Sequence, residues 1–180
     1  VEVAADVIAL WREVWPTRPW AAAETTESLC AWFVAWEGLE GRRPRHFLAY
    51  GDDGTLIGIA QVFPRTIKAM DANLQPCIEV LALARVCSKP AVRGKGIGAA
   101  LVGTAFLMVD EGAFGHCFFE VLSTNVPFYA RYGARAAQPC TDCVDSTHPG
   151  GPAPFWLDVT MVYGDAEWPS GQLDTLGPGW

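Results

Sequence analysis

VCSKPAVRGKGIG, residues 86–98, is the stretch that decides the fold of this chain. An apolar run ends shortly before Pro90, as a buried strand would, and an apolar segment of helical length begins at Gly96. Glycine lets the backbone approach a ligand closely, and the positive end of a helix dipole favours an anion. The stretch therefore predicts a strand-to-helix turn whose backbone N–H groups bind a diphosphate.

Two other phosphate-binding loops fit this spacing less well. A Walker loop needs Gly-Lys followed by Ser or Thr, but Lys95 is followed by Gly96. A dinucleotide fingerprint needs Gly-x-Gly-x-x-Gly, whereas Gly94, Gly96 and Gly98 are separated by single residues. A tight turn that binds no ligand stays open as the structural alternative.

Hydrophobic periodicity and turn residues predict the elements on both sides of this turn. The order is helix, helix, hairpin, strand, helix, strand, helix, strand, which predicts one α/β (α+β) domain over residues 1–180 with a C-terminal tail at 164–180. The predicted elements are helices at 2–15 and 25–41, hairpin strands at 47–50 and 56–67, a turn at 73–76, a strand at 77–88, a helix at 96–111, a strand at 117–122, a helix at 126–132, a loop at 138–154 and a last strand at 155–163.

Charge and composition exclude several classes of protein. A formal net charge of −7 argues against a general nucleic-acid binder, since phosphate backbones are held mainly by clustered Lys and Arg. Charges or glycines break every apolar stretch before it reaches membrane-spanning length, and no basic-then-apolar leader opens the chain. The six cysteines lie in apolar segments, as buried thiols do in a reducing compartment. We therefore expect a cytoplasmic protein without a membrane or nucleic-acid partner.

A second motif follows one predicted strand after the glycine turn. It contains the aromatic pair Phe128-Tyr129 and, shortly beyond it, Gly133. Together with Pro90 and the Arg-Gly-x-Gly-x-Gly run at 93–98, it resembles the two signatures of the GNAT superfamily of N-acetyltransferases. The resemblance is specific over residues 81–134 and rests on element order elsewhere.

The resemblance implies a GNAT-like mixed, largely antiparallel sheet with a splayed central strand and flanking helices. It also implies acetyl-CoA as co-substrate, with the pyrophosphate on the amides between Gly94 and Ala99 and the pantetheine arm along the strand edge at Val86 and Ser88. The amide near Val86 would also polarise the acetyl carbonyl. The residues expected to bind acetyl-CoA are Val86, Cys87, Ser88, Arg93, Gly94, Lys95, Gly96, Gly98, Ala99 and Asn125.

Tyr129 and Glu79 are the predicted catalytic residues. Tyr129 matches the family's general acid, which would protonate the departing thiolate; the alternative is a ring that packs under the cofactor. Glu79 is the only carboxylate on the long central strand, where an apolar environment would raise its pKa toward that of a useful base. Glu120, His116 and a chain of waters remain alternatives for the base.

A zinc site is the less favoured interpretation of Cys140, Cys143 and His148. Structural zinc is held by four ligands, and the sequence offers only one close cysteine pair here. We expect no metal, and we interpret the loop as a segment on the substrate side.

The acceptor is predicted mainly from charge and from the last residues. An acidic protein suits a cationic amine. The tail resembles the endings of aminoglycoside acetyltransferases, the antibiotic-resistance branch, and of nodulation-type acyltransferases. We therefore expect a small-molecule amine, an aminoglycoside or another amino sugar. A protein or peptide amine as acceptor, and a non-catalytic acyl-CoA sensor, are the alternatives. A homodimer is one open expectation, since the sequence does not fix the oligomeric state.

Overall fold

The computed structural model describes residues 2–40, 43–70, 77–137, 143–150, 155, 157–165, 167–169, 171–177, 179 and 180. The chain forms two compact units, unit 1 with Val1–Phe63 and Arg85–Ala105, and unit 2 with Pro64–Ala84 and Phe106–Trp180. The elements are α1 (Glu2–Val14), α2 (Pro19–Ala23), α3 (Thr26–Glu40), β1 (Arg45–Tyr50), β2 (Leu56–Ala69), β3 (Cys77–Ser88), α4 (Ile97–Asp110), β4 (Cys117–Val121), α5 (Val126–Ala130), β5 (Arg135–Ala136), β6 (Cys143–Val144), β7 (Val159–Tyr163) and β8 (Leu173–Asp174).

The helices of unit 1 pack on its hairpin through an apolar face of α1. Val7, Leu10 and Trp11 are at most 2% exposed. They belong to one buried cluster with Leu29 of α3 and Ile59 of β2. Fully burying side chains of this size contributes roughly 1.5–3 kcal/mol each. The helical spacing of these residues is therefore what attaches α1 to the hairpin.

The hairpin of unit 1 is antiparallel, as predicted. Its register pairs Arg45 with Val62 and Ala49 with Gly58. Gly58 also determines how closely the start of α4 approaches β2. A Cβ atom at Gly58 would lie 2.7 Å from the Cγ2 atom of Ile97. The first turn of α4 is thus packed against bare strand backbone, which fixes the position of the helix start.

Unit 2 contains most of the sheet, with hydrogen-bonded neighbours in the order β5-β7-β4-β3-β2-β8-β6. β4 and β7 pair antiparallel along their whole lengths. The parallel pairing of β3 with β4 covers only Leu81 and Ala82, although β3 continues to Ser88. The mixed, largely antiparallel sheet and the splayed central strand are therefore confirmed.

The C-terminal residues are part of the core of unit 2. β8 pairs with β2 through Lys68 and Ala69, and Trp168 belongs to the buried apolar cluster. The Trp168 ring lies 5.0 Å from that of Phe118, and the Trp180 ring lies 4.8 Å from that of Phe155. The prediction that 155–163 forms the last strand is wrong, because that strand begins at Val159 and β8 follows it.

Most of the other predicted elements are confirmed within one or two residues, and the strand at 77–88 has the predicted bounds. Helix α2 and the two-residue strands β5, β6 and β8 were not predicted, and the predicted loop at 138–154 contains β6. The turn at 73–76 lies outside the described residues. The single domain over residues 1–180 stays a prediction.

Candidate active site

The glycine turn of unit 1 connects β3 to α4. Just after β3, the Lys89 N–H donates to the Ile57 carbonyl at 2.9 Å, and a single 3₁₀ turn follows at Pro90–Val92. Gly94 and Gly96 have φ values of +79° and +83°, a conformation that side chains other than hydrogen disfavour. Apart from atoms of the adjoining residues, no atom of the described residues lies within 4 Å of a Cβ built on either glycine. The turn is therefore open, and its shape depends on glycine.

Several N–H groups of this turn have no acceptor among the described residues. The Arg93 and Lys95 N–H groups donate within the turn, to Pro90 and Val92, and the helical bonds begin with Ala100 donating to Gly96. The first turn of α4 has no acidic residue that would repel an anion. Unused N–H groups at a helix N-terminus bind phosphate groups. Between Gly94 and the first turn of α4, the unused groups belong to Gly94, Gly96, Ile97, Gly98 and Ala99.

The strand edge before the turn has one core residue and two half-buried ones. Val86 and Ser88 are half-buried. Cys87 is buried in the apolar cluster of unit 1, and this burial raises the pKa of its thiol to about 12, with Arg93 opposing the shift weakly. A neutral core thiol is no nucleophile at neutral pH, so the part of Cys87 available to a ligand is its backbone.

Arg85, immediately before this edge, was not predicted to matter. Its φ is +50°, which is unusual for a residue with a side chain. Its guanidinium carbon lies 4.5 Å from the centroid of the Trp11 ring and 5.0 Å from that of Trp20. The Nη2 atom lies 3.7 Å from a Glu24 carboxylate oxygen. No glycine or repeat in the sequence marks this conformation.

Charge and burial around Arg85 also affect a histidine of β1. The pKa of His46 falls from its ordinary 6.5 to about 4, because the ring is buried and because Arg85 is cationic. Burial lowers the pKa of Arg85 itself, and the Glu24 carboxylate opposes that shift. His46 is therefore neutral at neutral pH, and the positive charge near its ring belongs to Arg85.

In unit 2, Tyr129 lies on the short helix α5. Its side chain is 8% exposed, and its ring lies 4.9 Å from the ring of Phe119 on β4. The carbonyl of Tyr129 accepts the N–H groups of Tyr132 and Ala134, and Gly133, with a φ of +90°, ends the turn. The motif therefore fixes the tyrosine ring against the sheet, which suits both a general acid and a packing role.

The candidate bases differ in their surroundings. Glu79, close to the start of β3, is exposed rather than buried in an apolar strand as expected. Glu120 on β4 is half-buried and accepts the Leu157 N–H at 2.8 Å. His116 is 4% exposed, and its ring meets that of Trp168 edge-on at 5.0 Å. Asn125 is exposed at the end of a 3₁₀ turn.

The loop considered for zinc is only partly described. Cys140 lies outside the described residues, and Cys143 lies in β6. The Nδ1 atom of His148 lies 3.2 Å from the Asp145 carboxylate. In the described parts of the chain, no three His, Cys, Asp or Glu side chains come together as metal ligands. Over the same residues, no helix has the length and apolar character needed to cross a membrane.

Solved structures with similar folds come from several organisms. The E. coli GNAT family N-acetyltransferase YhbS in complex with CoA has 17% identity and a TM-score of 0.61, over 96% of this chain and 83% of that one. The PaiA N-acetyltransferase of Thermoplasma acidophilum in complex with coenzyme A has 19% identity and a TM-score of 0.56, over 91% and 94%. Glucosamine-6-phosphate N-acetyltransferase of Arabidopsis thaliana has 16% identity and a TM-score of 0.54, over 72% and 85%.

A search of curated proteins found no match. The model of the Acetyltransferase (GNAT) family matches residues 5–134. That range includes the glycine turn and the Phe128-Tyr129 motif, from which the resemblance was inferred. Because the match covers well over half of the sequence, this chain belongs to the GNAT family of acetyltransferases.

Proposed function

We propose that this acetyltransferase acetylates a primary amine of a small molecule, with amino sugars, aminoglycosides included, as its acceptor class. As a GNAT enzyme it takes the acetyl group from acetyl-CoA. The observation that supports this donor in the chain itself is the row of unused N–H groups from Gly94 to Ala99. A diphosphate can accept hydrogen bonds from such a row and is favoured by the dipole of α4.

The donor supplies a thioester, and the chain supplies binding and proton transfer. The glycine turn would bind the diphosphate, with the side chains of Arg93 and Lys95, both exposed, adding positive charge. The backbone of Val86 and Ser88 would pair with the pantetheine arm. The Val86 N–H would donate to the acetyl oxygen as negative charge develops there, a type of contact worth about 3 kcal/mol. Asn125 is a further proposed contact for the pantetheine.

Acetyl transfer needs a base for the ammonium group and an acid for the thiolate. We assign the acid to Tyr129, whose phenol would protonate the departing sulfur. Glu79 remains the proposed base, and its exposure leaves it accessible to a soluble amine. Glu120 is the alternative, because the bond from Leu157 already orients one of its oxygens. Positioned acids and bases typically contribute about 10²–10⁴ in rate.

The proposed acceptor class rests on charge and on chemistry. A net charge of −7 favours cationic acceptors over anionic ones. Among the structures of similar fold is glucosamine-6-phosphate N-acetyltransferase, an enzyme named for an amino sugar. The resemblance of the C-terminal segment to amino-sugar acylating branches of the family supports the same class.

A thiol-release assay with acetyl-CoA tests the acceptor. Glucosamine, an aminoglycoside, a polyamine and a lysine-containing peptide are compared at equal amine concentration, and a reaction without amine measures hydrolysis. We expect the highest kcat/KM with an amino sugar or an aminoglycoside. Acetylation of the peptide alone would show that the acceptor is a protein amine and not a small molecule. No turnover of any small amine would contradict the proposed function.

A further inference from the structure

A left-handed residue lies inside the central strand of the proposed donor site. Arg85 and Leu176 are the only residues other than glycine with a positive φ in the described part of the chain. A left-handed residue within a strand turns the next peptide away from the regular ladder direction, as the left-handed residue of one type of β-bulge does. The next peptide here carries the N–H of Val86. The conformation of Arg85 therefore determines where the strand edge used by the donor points.

Interactions in unit 1 hold Arg85 in this conformation. Its guanidinium carbon lies over the rings of Trp11 and Trp20, at 4.5 Å and 5.0 Å from their centroids, and its Nη2 atom lies 3.7 Å from the Glu24 carboxylate. Cation–π contacts become stronger when the cation is desolvated, as it is here. The clamp is defined as Trp11, Trp20 and Glu24. The contacts of the clamp offset the energetic cost of a backbone conformation that residues with a side chain disfavour.

The clamp is itself rigid. Trp11 is fully buried, and its ring meets that of Trp20 edge-on at 5.8 Å. Arg12 donates from Nε to the Ala21 carbonyl at 3.3 Å and from Nη2 to the Glu24 carbonyl at 2.9 Å. These bonds tie the end of α2 and the residue after it to α1. The residues that contact Arg85 are thus themselves held by packing and hydrogen bonds.

We propose that Arg85 is a positioning residue that sets the edge Val86–Ser88 for the pantetheine arm of acetyl-CoA. The inference rests on the donor in the proposed function and is independent of the acceptor amine. A cation–π contact made for stability alone needs no particular φ. Here it coincides with the one strained residue that directly precedes the proposed pantetheine edge, and this coincidence is what carries the assignment.

Two ligands separate positioning of the edge from binding at the glycine turn. Coenzyme A contacts both, whereas adenosine 3′-phosphate 5′-diphosphate has the diphosphate but no pantetheine. Titration calorimetry of Arg85→Ala should show coenzyme A binding weakened about tenfold, as expected from one or two lost backbone hydrogen bonds, and the nucleotide unchanged within about twofold. Arg85→Lys keeps the cation and should restore coenzyme A binding to within about threefold of the wild type.

Trp20→Leu weakens the clamp from outside the strand and keeps the test valid if Arg85→Ala does not fold. It should weaken coenzyme A binding selectively, by about threefold. Arg45→Ala removes an exposed arginine from β1 and serves as the matched control, with both affinities unchanged.

Equal weakening of the two ligands in Arg85→Ala, or no weakening of either, would overturn the positioning role. If the wild-type protein binds neither ligand, both the proposed donor site and the role of Arg85 are contradicted. Wild-type protein that binds coenzyme A but acetylates no amine would contradict only the acceptor in the proposed function. The two proposals therefore fail in distinguishable ways.

Discussion

In unit 1 the donor is proposed to bind backbone amides, along a strand edge that the clamped Arg85 positions, whereas in unit 2 the proposed acid, Tyr129, is held among aromatic rings. No side chain from Lys89 to Gly96 is buried, and five N–H groups between Gly94 and Ala99 have no acceptor among the described residues. Tyr129, in contrast, is itself a buried core residue. We therefore expect substitutions in the glycine turn to change ligand binding without changing stability, and substitutions around the aromatic rings to change both.

The largest effect expected from this difference is on the stability of unit 2. Trp168→Ala removes a 7% exposed ring that contacts Phe118 and His116. It should lower the free energy of unfolding by about 3–5 kcal/mol, measured by denaturant titration. Leu107→Ala removes an exposed side chain and serves as the control with little change. A small effect of Trp168→Ala would show that the C-terminal segment is not part of the folding unit.

A stability effect in unit 1 should come from His46 and depend on pH. The folded pKa of about 4 is below the ordinary 6.5, so the unfolded chain binds the proton first as the pH falls. Stability should therefore decrease between pH 6.5 and pH 4, by about 3 kcal/mol if protonation is complete. His46→Gln should flatten this part of the curve in denaturant titrations. An unchanged slope in His46→Gln would contradict the buried neutral ring.

Tyr129→Phe tests whether unit 2 supplies the acid that protonates the departing thiolate. The change keeps the ring on Phe119 and removes only the hydroxyl group. If the phenol protonates the thiolate, kcat should fall about a hundredfold, or about 2.7 kcal/mol, with coenzyme A affinity retained. Tyr132→Phe is the matched control on the adjacent turn. Full activity in Tyr129→Phe would leave Tyr129 as a packing residue, the alternative considered from the sequence.

The smallest expected effect is on the glycine turn. Alanine at position 96 must adopt a φ near +83° or rotate the turn, and rotation would withdraw the amides from the diphosphate. Coenzyme A affinity should fall about tenfold in calorimetry, close to 1.4 kcal/mol. Gly103→Ala lies inside α4, where an added Cβ meets nothing within 4 Å. It should keep the affinity and stabilise the helix by up to about 1 kcal/mol. Equal losses in both variants would refute a specific role for the turn.

The sequence predicted the elements whose signals are local. The glycine turn depends on residue types at fixed spacing, and the strand Cys77–Ser88 is a long apolar run between turn residues. Helix α2 was missed because five residues are too few to show periodicity, although Pro19 lies at its start, a position that favours proline. Strands β5, β6 and β8, with two residues each, depend on partners far away in the chain.

Two features of the candidate site were also beyond sequence reasoning. Glu79 is exposed because it lies among the first three residues of β3, before the run of fully buried positions that begins at Val80. The left-handed conformation of Arg85 has no local signal, since glycine is the residue that normally marks it. Its clamp joins positions more than sixty residues apart along the chain, from Trp20 to Arg85. Only tertiary packing could show either feature.

The pairing of β8 with β2 has a consequence for synthesis of the chain. Lys68 and Asp174 are register partners, although about a hundred residues separate them, and such distant contacts form late in folding. During translation, the outer edge of β2 at Lys68 and Ala69 has no β8 partner until the ribosome releases residues 173 and 174. Unpaired strand edges promote association between chains. Premature termination shortly before Leu173 should therefore yield nascent chains that need chaperone protection or aggregate.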